Sequence, residues 1–138
     1  MDFKTAAPKM SENQNAIIVR PQDRAIEGWS NPARGSVTWR TFISGDITSS
    51  SHMSAGLAAL EPHHGELVPH RHAQAQIYHI IEGTGILTLE DVEPSVSAGT
   101  CIYIPGDAKH GIRNESDSVL RLFYVFPTDK FSDVVYRF

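Results

Sequence analysis

The feature that most constrains the fold is a series of short strand-like segments separated by turns rich in glycine and proline. Most of these segments contain many β-branched and aromatic residues, and several alternate apolar and polar side chains, which is typical of strands. No segment has the apolar spacing of an amphipathic helix of ordinary length. The predicted strands are 16–20, 36–43, 52–60, 67–72, 76–82, 86–90, 95–97, 100–104, 109–113, 119–126 and 131–138.

The number and spacing of these segments predict an all-β sandwich or barrel. A length of 138 residues fits one domain, which we assign to 15–138. Residues 1–14 are polar and show no period, so we expect a flexible tail, or an arm ordered only against a partner subunit. Residues 22–35 are interpreted as a loop with a brief helical turn around 23–28.

The composition argues against several classes of function. A net charge of −4 argues against nucleic acid as the main partner, because phosphate binding requires a basic surface. No apolar run is long enough to cross a bilayer, and the first residues lack the apolar core of a signal peptide, so we expect a cytoplasmic protein. Cys101 is the only cysteine, which excludes internal disulfides, and we expect its thiol to be buried.

Histidine is the main chemical lead, because five of the seven histidines fall within residues 63–79. In an extended strand every second side chain points the same way. One such face carries two imidazoles, two carboxamides and a phenol: His70, His72, Gln74, Gln76 and Tyr78. Imidazole suits Zn, Cu, Fe and Ni, so a metal site is one interpretation. Two half-exposed histidines with hydrogen-bonded ring nitrogens are the other.

A second histidine segment follows later in the chain. After Gly99 comes a strand, then a turn at Pro105, then another strand that begins near His110 and ends at Asn114. Three histidines and a fourth side chain would leave coordination positions for water or substrate, as an active metal site requires.

These two segments resemble the two motifs of the cupin superfamily. The first motif is a glycine, an HxH pair, a carboxylate three or four residues later and another glycine; the second ends on a histidine and an asparagine. The matching residues here are Gly65, His70, His72, Gln76, Gly83, Gly99, Pro105, His110 and Asn114. The resemblance implies an all-β cupin jelly-roll barrel, a double-stranded β-helix. It also implies one divalent transition metal (Zn, Ni, Fe, Mn or Co) held by His70, His72, Gln76 and His110.

The chain departs from the cupin pattern at Gln76, where most cupins have a glutamate. With three neutral imidazoles and a carboxamide, a divalent ion keeps its full positive charge. We therefore expect stronger Lewis acidity and weaker support for oxygen chemistry. Loss of the metal site is the alternative interpretation, against which the three retained histidines argue. Gly65 also lies one residue closer to His70 than usual, and Asp107 stands where a glycine is common.

More narrowly, the chain resembles the short dimethylsulfoniopropionate (DMSP) lyases among single-domain cupins. The similarity includes Trp39, the HxH segment through Tyr78, and residues 106–110 and 126–132. In those lyases a tyrosine two residues past the metal-binding glutamate removes the proton alpha to the carboxylate, which implies that role for Tyr78. A second lyase tyrosine lies near the last long strand, and Tyr124 is the nearest candidate here.

The chain also resembles the cupin cyclases of aromatic polyketide pathways, whose metal centres are rich in histidine. Gln76 suits that comparison, and His52 is the candidate for an extra ligand because its predicted strand is expected to pair with the HxH strand. His63 and His64 are expected in a hairpin turn that faces solvent.

Three further side chains are candidates for the pocket. Trp39 either contacts a sulfonium by cation–π attraction or packs in the core. Arg40 either binds a carboxylate or lies on the surface, and Tyr103 either lines the pocket or fills the barrel.

The expected function is non-redox Lewis-acid and acid–base chemistry on a small anionic or keto substrate, either DMSP-lyase-like β-elimination or polyketide cyclisation. A ligand-binding cupin without turnover and a dioxygenase are the alternatives. The resemblance also implies a homodimer.

Overall fold

The computed structural model describes residues 15–138, which form one curled antiparallel sheet of ten strands. The prediction of a flexible tail at 1–14 lies outside the described residues. The strands are β1 (Glu27–Asn31), β2 (Gly35–Ile43), β3 (Ser54–Leu60), β4 (Glu66–His70), β5 (Gln76–Glu82), β6 (Thr84–Leu89), β7 (Ser95–Ser97), β8 (Cys101–Ile104), β9 (His110–Arg113) and β10 (Leu120–Phe126). Two short 3-10 turns lie at Pro21–Asp23 and Phe131–Asp133. The predicted all-β class is confirmed.

The strand order brings distant parts of the chain together. Along the sheet the order is β7-β6-β9-β4-β2-β3-β10-β5-β8, and β1 pairs with β2 outside this path. Strands β4 and β9 are neighbours in one half of the sheet, whereas β5 lies in the other half between β10 and β8. The curl of the sheet therefore lets side chains from β4, β5 and β9 meet in its interior.

The core follows from the period-two pattern of the strands. In β3 and β10 every second residue is buried, and the residues between them are only partly buried. Because successive side chains of a strand point to opposite faces, one face of the curled sheet forms the interior. The core includes Leu60, Ile80, Leu87, Ile104, Leu120, Leu122 and Phe126, each at most 2% exposed.

Nine of the ten strands match predicted segments to within a few residues. Strand β1 was predicted as loop, since Gly28, Ser30 and Asn31 are poor strand formers; pairing with β2 overrides that preference. Residues 16–20 form no strand, and Ile18 is 81% exposed. No helix within 15–138 is long and apolar enough to cross a membrane.

Residues 131–138, which we call the strap, were predicted as an edge strand. The prediction is wrong: the strap begins with a 3-10 turn, and only Arg137 makes a bridge, to Arg71. Its aromatic side chains explain the irregular path, because Phe131 and Tyr136 pack against the core. Covering the interior with aromatic rings replaces regular strand pairing in this segment.

Replacing Phe126 with alanine is expected to destabilise the protein by about 3–5 kcal/mol, because it empties a fully buried site. The Phe126 ring is 0% exposed and contacts the rings of His72 and Phe131. Urea unfolding of the metal-free protein measures the change. Ile77→Ala is the control, since Ile77 is 40% exposed on the outer side of β5. This substitution should lower the free energy of unfolding far less. Equal losses for the two variants would contradict this view of the core.

Candidate metal centre

Three histidine side chains converge in the interior of the sheet. One ring nitrogen of each of His70, His72 and His110 lies within 4.8 Å of the others, and all three residues are buried. His70 is the last residue of β4, and His110 is the first residue of β9 and its direct partner across the strand pair. His72 lies in the bend that connects β4 to β5.

Each imidazole is oriented by a local bond to the backbone. The Nδ1 atoms of His70, His72 and His110 lie 2.8, 2.9 and 2.9 Å from the carbonyl oxygens of Val68, Gln74 and Ala108. A carbonyl only accepts hydrogen bonds, so each Nδ1 carries the proton and donates it. The Nε2 atoms are then left with lone pairs, the form in which histidine binds metals.

Gln76, the first residue of β5, completes the group. Its Oε1 atom lies 3.1 Å from Nε2 of His72 and 3.2 Å from Nε2 of His110. Since those nitrogens carry lone pairs, the carboxamide oxygen faces acceptors, and only a cation among them would satisfy all of these atoms. Turning the amide would offer N–H donors to His72 and His110, but Nε2 of His70, which has no partner, would stay unsatisfied.

Burial keeps the three imidazoles neutral. Desolvation first, and then repulsion from nearby imidazoles, lowers the pKa of His70 to about 3 and that of His110 to about 4. The pKa of His72 is also lowered, first by burial. At neutral pH no proton therefore competes for the Nε2 lone pairs. Three neutral imidazoles and one carboxamide oxygen fit a divalent transition metal ion, with positions left for water or substrate.

The turn before β9 supports His72 from outside the cluster. Asp107 adopts the left-handed backbone conformation, with φ of 63°, and its N–H donates to the carbonyl of His72 over 2.8 Å. A Cβ atom at the neighbouring Gly106 would lie 2.4 Å from the carbonyl oxygen of Ala73, so the close approach of the two loops requires glycine there. Asparagine and aspartate tolerate the left-handed conformation better than other residues, which explains Asp107.

A cavity of about 40 Å³, which we call the inner cavity, adjoins the cluster. Gln76, Tyr78, Tyr124 and Trp39 all line it. Tyr78 follows Gln76 by two residues on β5, so the two side chains share the inward face, and Tyr78 is 2% exposed. Burial raises the pKa of the Tyr78 hydroxyl well above its usual value, and repulsion from Tyr136 and Tyr124 adds to the shift.

Several polar atoms of the inner cavity have no partner. The indole N–H groups of Trp29 and Trp39 are buried without an acceptor. The Tyr124 hydroxyl packs over Gly56 near Thr41 but makes no hydrogen bond of good geometry. An unpaired buried donor costs about 1–3 kcal/mol, so these groups favour a ligand or water with oxygen acceptors.

Tyr136 and Trp29 are lining residues that the sequence analysis missed. The Tyr136 ring centroid lies 4.9 Å from that of His70 and 5.5 Å from that of His72, and Trp29 contacts Tyr136 edge-on. The signal in the sequence is the concentration of aromatic residues in 131–138, a composition that is also typical of a strand. Trp29 lies in β1, the strand that was predicted as loop.

Other candidate residues lie outside the cluster. His52 is exposed in the loop before β3, where its backbone N–H donates to Asp129. Tyr103 is 65% exposed on the outer face of β8, because Ile102 and Ile104 take the inward positions. Arg40 donates to the carbonyls of Pro21 and Arg24, and so ties down the first turn instead of lining the inner cavity.

Of the remaining predictions, those for His63 and His64 are confirmed and the one for Cys101 is wrong. His63 and His64 are exposed in the turn between β3 and β4, as predicted, and His63 pairs with Asp117 at 2.5 Å. The prediction of a buried Cys101 is wrong, since this residue is exposed on the outer side of β8. Gln74 turns toward the strap, where its amide donates to the carbonyl of Asp133.

Replacing His72 with alanine is expected to weaken zinc or nickel binding at least about 100-fold, because one imidazole ligand is lost. Isothermal titration of the metal-free protein and elemental analysis after purification measure the change. His79→Ala is the matched control, because His79 is on β5 but faces outward. Equal metal affinity in both variants would mean that the three imidazoles bind no ion.

The metal-free protein should lose stability as the pH falls below about 6.5, where histidines of the unfolded chain take up protons. The folded forms of His70 and His110 resist protonation until about pH 3 and about pH 4. For each of these histidines, the free energy of unfolding is highest above about pH 6.5. It falls by up to about 1.4 kcal/mol per pH unit as the pH drops from about 6.5 to the pKa of the folded form.

Urea unfolding at several values between about pH 7.5 and pH 5 measures this dependence. His70→Gln should reduce the slope, and His64→Gln, an exposed turn residue, should leave it unchanged. A flat profile for the parent chain, or equal slopes in all three proteins, would contradict the buried neutral histidines.

Comparison with known proteins agrees with this architecture. Residues 56–126 match the family model of the cupin domain. The chain is 39% identical over 113 residues to dimethylsulfoniopropionate lyase DddW from Ruegeria pomeroyi. The aligned region covers 82% of this chain and 73% of that protein.

Solved structures give the same fold. The polyketide cyclase RemF from Streptomyces resistomycificus matches with a TM-score of 0.74 and 22% identity, over 89% of this chain and 84% of that chain. A predicted oxalate decarboxylase from Thermotoga maritima matches with a TM-score of 0.70 and 21% identity, over 81% of this chain and 99% of that chain. At these identities the matches bear on the fold alone, and they confirm the predicted cupin barrel. The chain belongs to the cupin domain family.

Proposed function

We propose that this cupin is a metal-dependent lyase that carries out β-elimination on a small carboxylate with a good leaving group, as DMSP has. The observation that carries the proposal is the position of Tyr78 beside the cluster. Tyr78 lines the same cavity as Gln76, whose Oε1 atom contacts His72 and His110, and its ring centroid lies 6.0 Å from that of His110. The 39% identity to a DMSP lyase over most of the chain supports it.

Tyr78 would act as the general base. Its phenolate takes the proton from the carbon alpha to the carboxylate, the carbon–carbon double bond forms, and the bond to sulfur breaks. With DMSP the products are acrylate and dimethyl sulfide, and the phenol later returns its proton to solvent. A divalent ion held by His70, His72, His110 and Gln76 would polarise the substrate carboxylate and favour the phenolate.

The other lining residues would bind and orient the substrate. The hydroxyl of Tyr124 and the indole N–H of Trp39 have no partner of their own, so they can donate to carboxylate oxygens. Tyr124 lies directly across from Tyr78 in the pairing of β10 with β5, which brings the two phenols to one region of the interior. The buried walls exclude water from the reacting carbon.

A polyketide-cyclase activity is the second candidate, and Gln76 is the observation that favours it. A neutral donor set leaves the ion strongly Lewis acidic, which suits an enolisable carbonyl as well as a carboxylate. Turnover of a keto substrate without release of dimethyl sulfide from DMSP would establish this alternative. Oxygen uptake with iron and a diketone would instead indicate a dioxygenase.

We also propose that the active form is a cytoplasmic homodimer that acts on a small molecule. The outer face of β5 and β8 supports the dimer, because Ile77, Ile81 and Tyr103 are 40%, 50% and 65% exposed there. Apolar side chains grouped on one exposed face are typical of a surface that binds protein.

Replacing Tyr78 with phenylalanine should reduce the release of dimethyl sulfide from DMSP by about 100- to 10,000-fold, the usual contribution of a general base. Headspace chromatography measures the rate on metal-loaded protein, and elemental analysis checks that the metal is retained. Tyr103→Phe is the matched control, because that phenol is exposed on the outer face. A metal-loaded parent protein that releases no dimethyl sulfide would exclude the lyase, and an active Tyr78→Phe variant would exclude Tyr78 as the base.

A further inference from the structure

One row of inward side chains across the sheet carries hydroxyl groups. Thr41 of β2 lies opposite Gly56 of β3, which in turn lies opposite Tyr124 of β10. Tyr124 lies opposite Tyr78 of β5, and all four residues are buried. Because side chains directly opposite each other on neighbouring strands are in contact range, the threonine and the two phenols form one continuous row in the interior.

Gly56 lets the row close up, because it has no side chain of its own. A Cβ atom at this position would overlap the Tyr124 hydroxyl and lie 2.5 Å from Cζ of the same ring. The Tyr124 side chain therefore lies across Gly56, and its hydroxyl reaches the neighbourhood of Thr41 on the next strand. Burial raises the pKa of the Tyr124 hydroxyl, and the contact with the Thr41 hydroxyl opposes that shift.

Thr41 continues the row to a carboxylate. Its Oγ1 atom lies 2.8 Å from Oε2 of Glu27 on β1. A carboxylate only accepts, so the Thr41 hydroxyl donates to Glu27 and keeps its lone pairs for a second partner. Within residues 15–138 the Tyr124 hydroxyl makes no hydrogen bond of good geometry. A small shift of the phenol toward Thr41 would therefore complete a chain of three oxygen-bearing groups: Tyr124, Thr41 and Glu27.

The two ends of this chain lie in different spaces. Tyr124 lines the inner cavity. Thr41 and Glu27 line a larger space of about 350 Å³ between β1, the loop after β2 and the strap, which we call the outer groove. Tyr124 and Thr41 are 6% and 7% exposed, whereas Glu27 is exposed. A single hydroxyl group therefore connects a buried phenol to a carboxylate in contact with water.

A proton released in the inner cavity has little water to receive it. The volume of about 40 Å³ has room for about three water molecules. The aromatic rings of Trp29, Phe131 and Tyr136 line both the inner cavity and the outer groove, so they form the wall between the two spaces. A proton can cross such a wall through hydrogen-bonded side chains without a water channel.

We propose that Thr41 and Glu27 are positioning residues that carry a proton from Tyr124 to the outer groove. The Tyr124 proton passes to Oγ1 of Thr41 while the Thr41 proton passes to Oε2 of Glu27, which releases it to water. The Tyr124 oxygen then takes a proton from the inner cavity. One O–H bond breaks and one forms at each hydroxyl, so nothing is oxidised or reduced.

The inference rests on the proposed function for the source of that proton. Each β-elimination leaves one proton in the interior, which must reach solvent before the next turnover. Neither Thr41 nor Glu27 lines the inner cavity, so both act through Tyr124 and not on the substrate.

Exchange of the Tyr124 hydroxyl proton with solvent tests the relay without any turnover. The zinc-loaded protein is labelled with carbon-13 at Cζ of tyrosine, and spectra are recorded in an equal mixture of H2O and D2O. Slow exchange gives two Cζ signals for a hydroxyl, and fast exchange gives one. Tyr124→Phe assigns the signal, and the exposed Tyr103 is the internal reference.

Thr41→Val removes the middle hydroxyl and keeps the shape of the side chain. We expect it to slow exchange at Tyr124 at least about tenfold, and Thr41→Ser, which keeps a hydroxyl, to restore fast exchange. Thr38→Val is the matched control, because Thr38 is on the same strand but exposed. Fast exchange in Thr41→Val, or slow exchange in the parent protein, would overturn the relay.

Substitutions of Glu27 test the exit from the relay. Glu27→Gln keeps an oxygen that accepts from Thr41 but takes up no proton, so it should slow exchange as Thr41→Val does. Added formate should restore exchange in Glu27→Ala, because the outer groove is open to small anions, and should not restore it in Thr41→Val. Glu61→Gln is the control, since Glu61 is exposed in the turn after β3 and lines neither space. Slow exchange that formate leaves unchanged in Glu27→Ala would point to a structural role for Glu27 and overturn the relay.

These outcomes separate the relay from the proposed function. Exchange that depends on Thr41 and Glu27, in a protein that releases no dimethyl sulfide from DMSP, would keep the relay and exclude the lyase. Release of dimethyl sulfide by a protein whose Tyr124 exchange is indifferent to both substitutions would keep the lyase and overturn the relay.

Discussion

The site depends on three short hydrogen bonds from imidazole Nδ1 atoms to backbone carbonyls two residues away. These bonds, of 2.8–2.9 Å, fix the ring orientation and the proton position of His70, His72 and His110 at once. Each acceptor is a backbone carbonyl of the same segment as its histidine. The orientation of each ring is therefore determined locally and does not depend on the rest of the sheet. The sheet has only to bring the ends of β4 and β9 and the start of β5 together, which its strand order does.

Burial gives this arrangement its chemical bias. Water is excluded by the aromatic residues of the core and the strap, and Phe126 and Tyr136 lie directly against the imidazole rings. The same exclusion lowers the pKa of the histidines and raises that of Tyr78. Both shifts favour the uncharged forms of these side chains. The neutral imidazoles keep their Nε2 lone pairs available for a cation, and the phenol would need such a cation nearby before it could act as a base.

Two kinds of information in the sequence predict most of this site. Period-two alternation predicts the strands, and the resemblance to the cupin motifs implies that His70, His72, Gln76 and His110 meet, as they do. The strap and β1 could not be predicted in this way, because their conformations are determined by contacts with distant residues. Trp29 pairs with Val37 in β2, and Tyr136 packs on His70, more than sixty residues earlier in the chain. Outward residues such as Tyr103 were misplaced because an aromatic side chain fits either face of a strand.

The absence of a charge on Gln76 bears on the pKa of Tyr78. A glutamate at position 76 would bring a negative charge into the cluster and cancel part of the charge of a bound ion. It would also lie two residues from Tyr78 on the same face of β5, where a second negative charge opposes ionisation of the phenol. Tyr78 is 2% exposed, burial together with Tyr136 and Tyr124 raises its pKa, and its ring contacts that of His110. In the proposed lyase, a carboxamide that held the ion without neutralising it would leave the strongest available field for lowering the pKa of that phenol. The unusual residue at position 76 and the proposed base would then serve the same requirement.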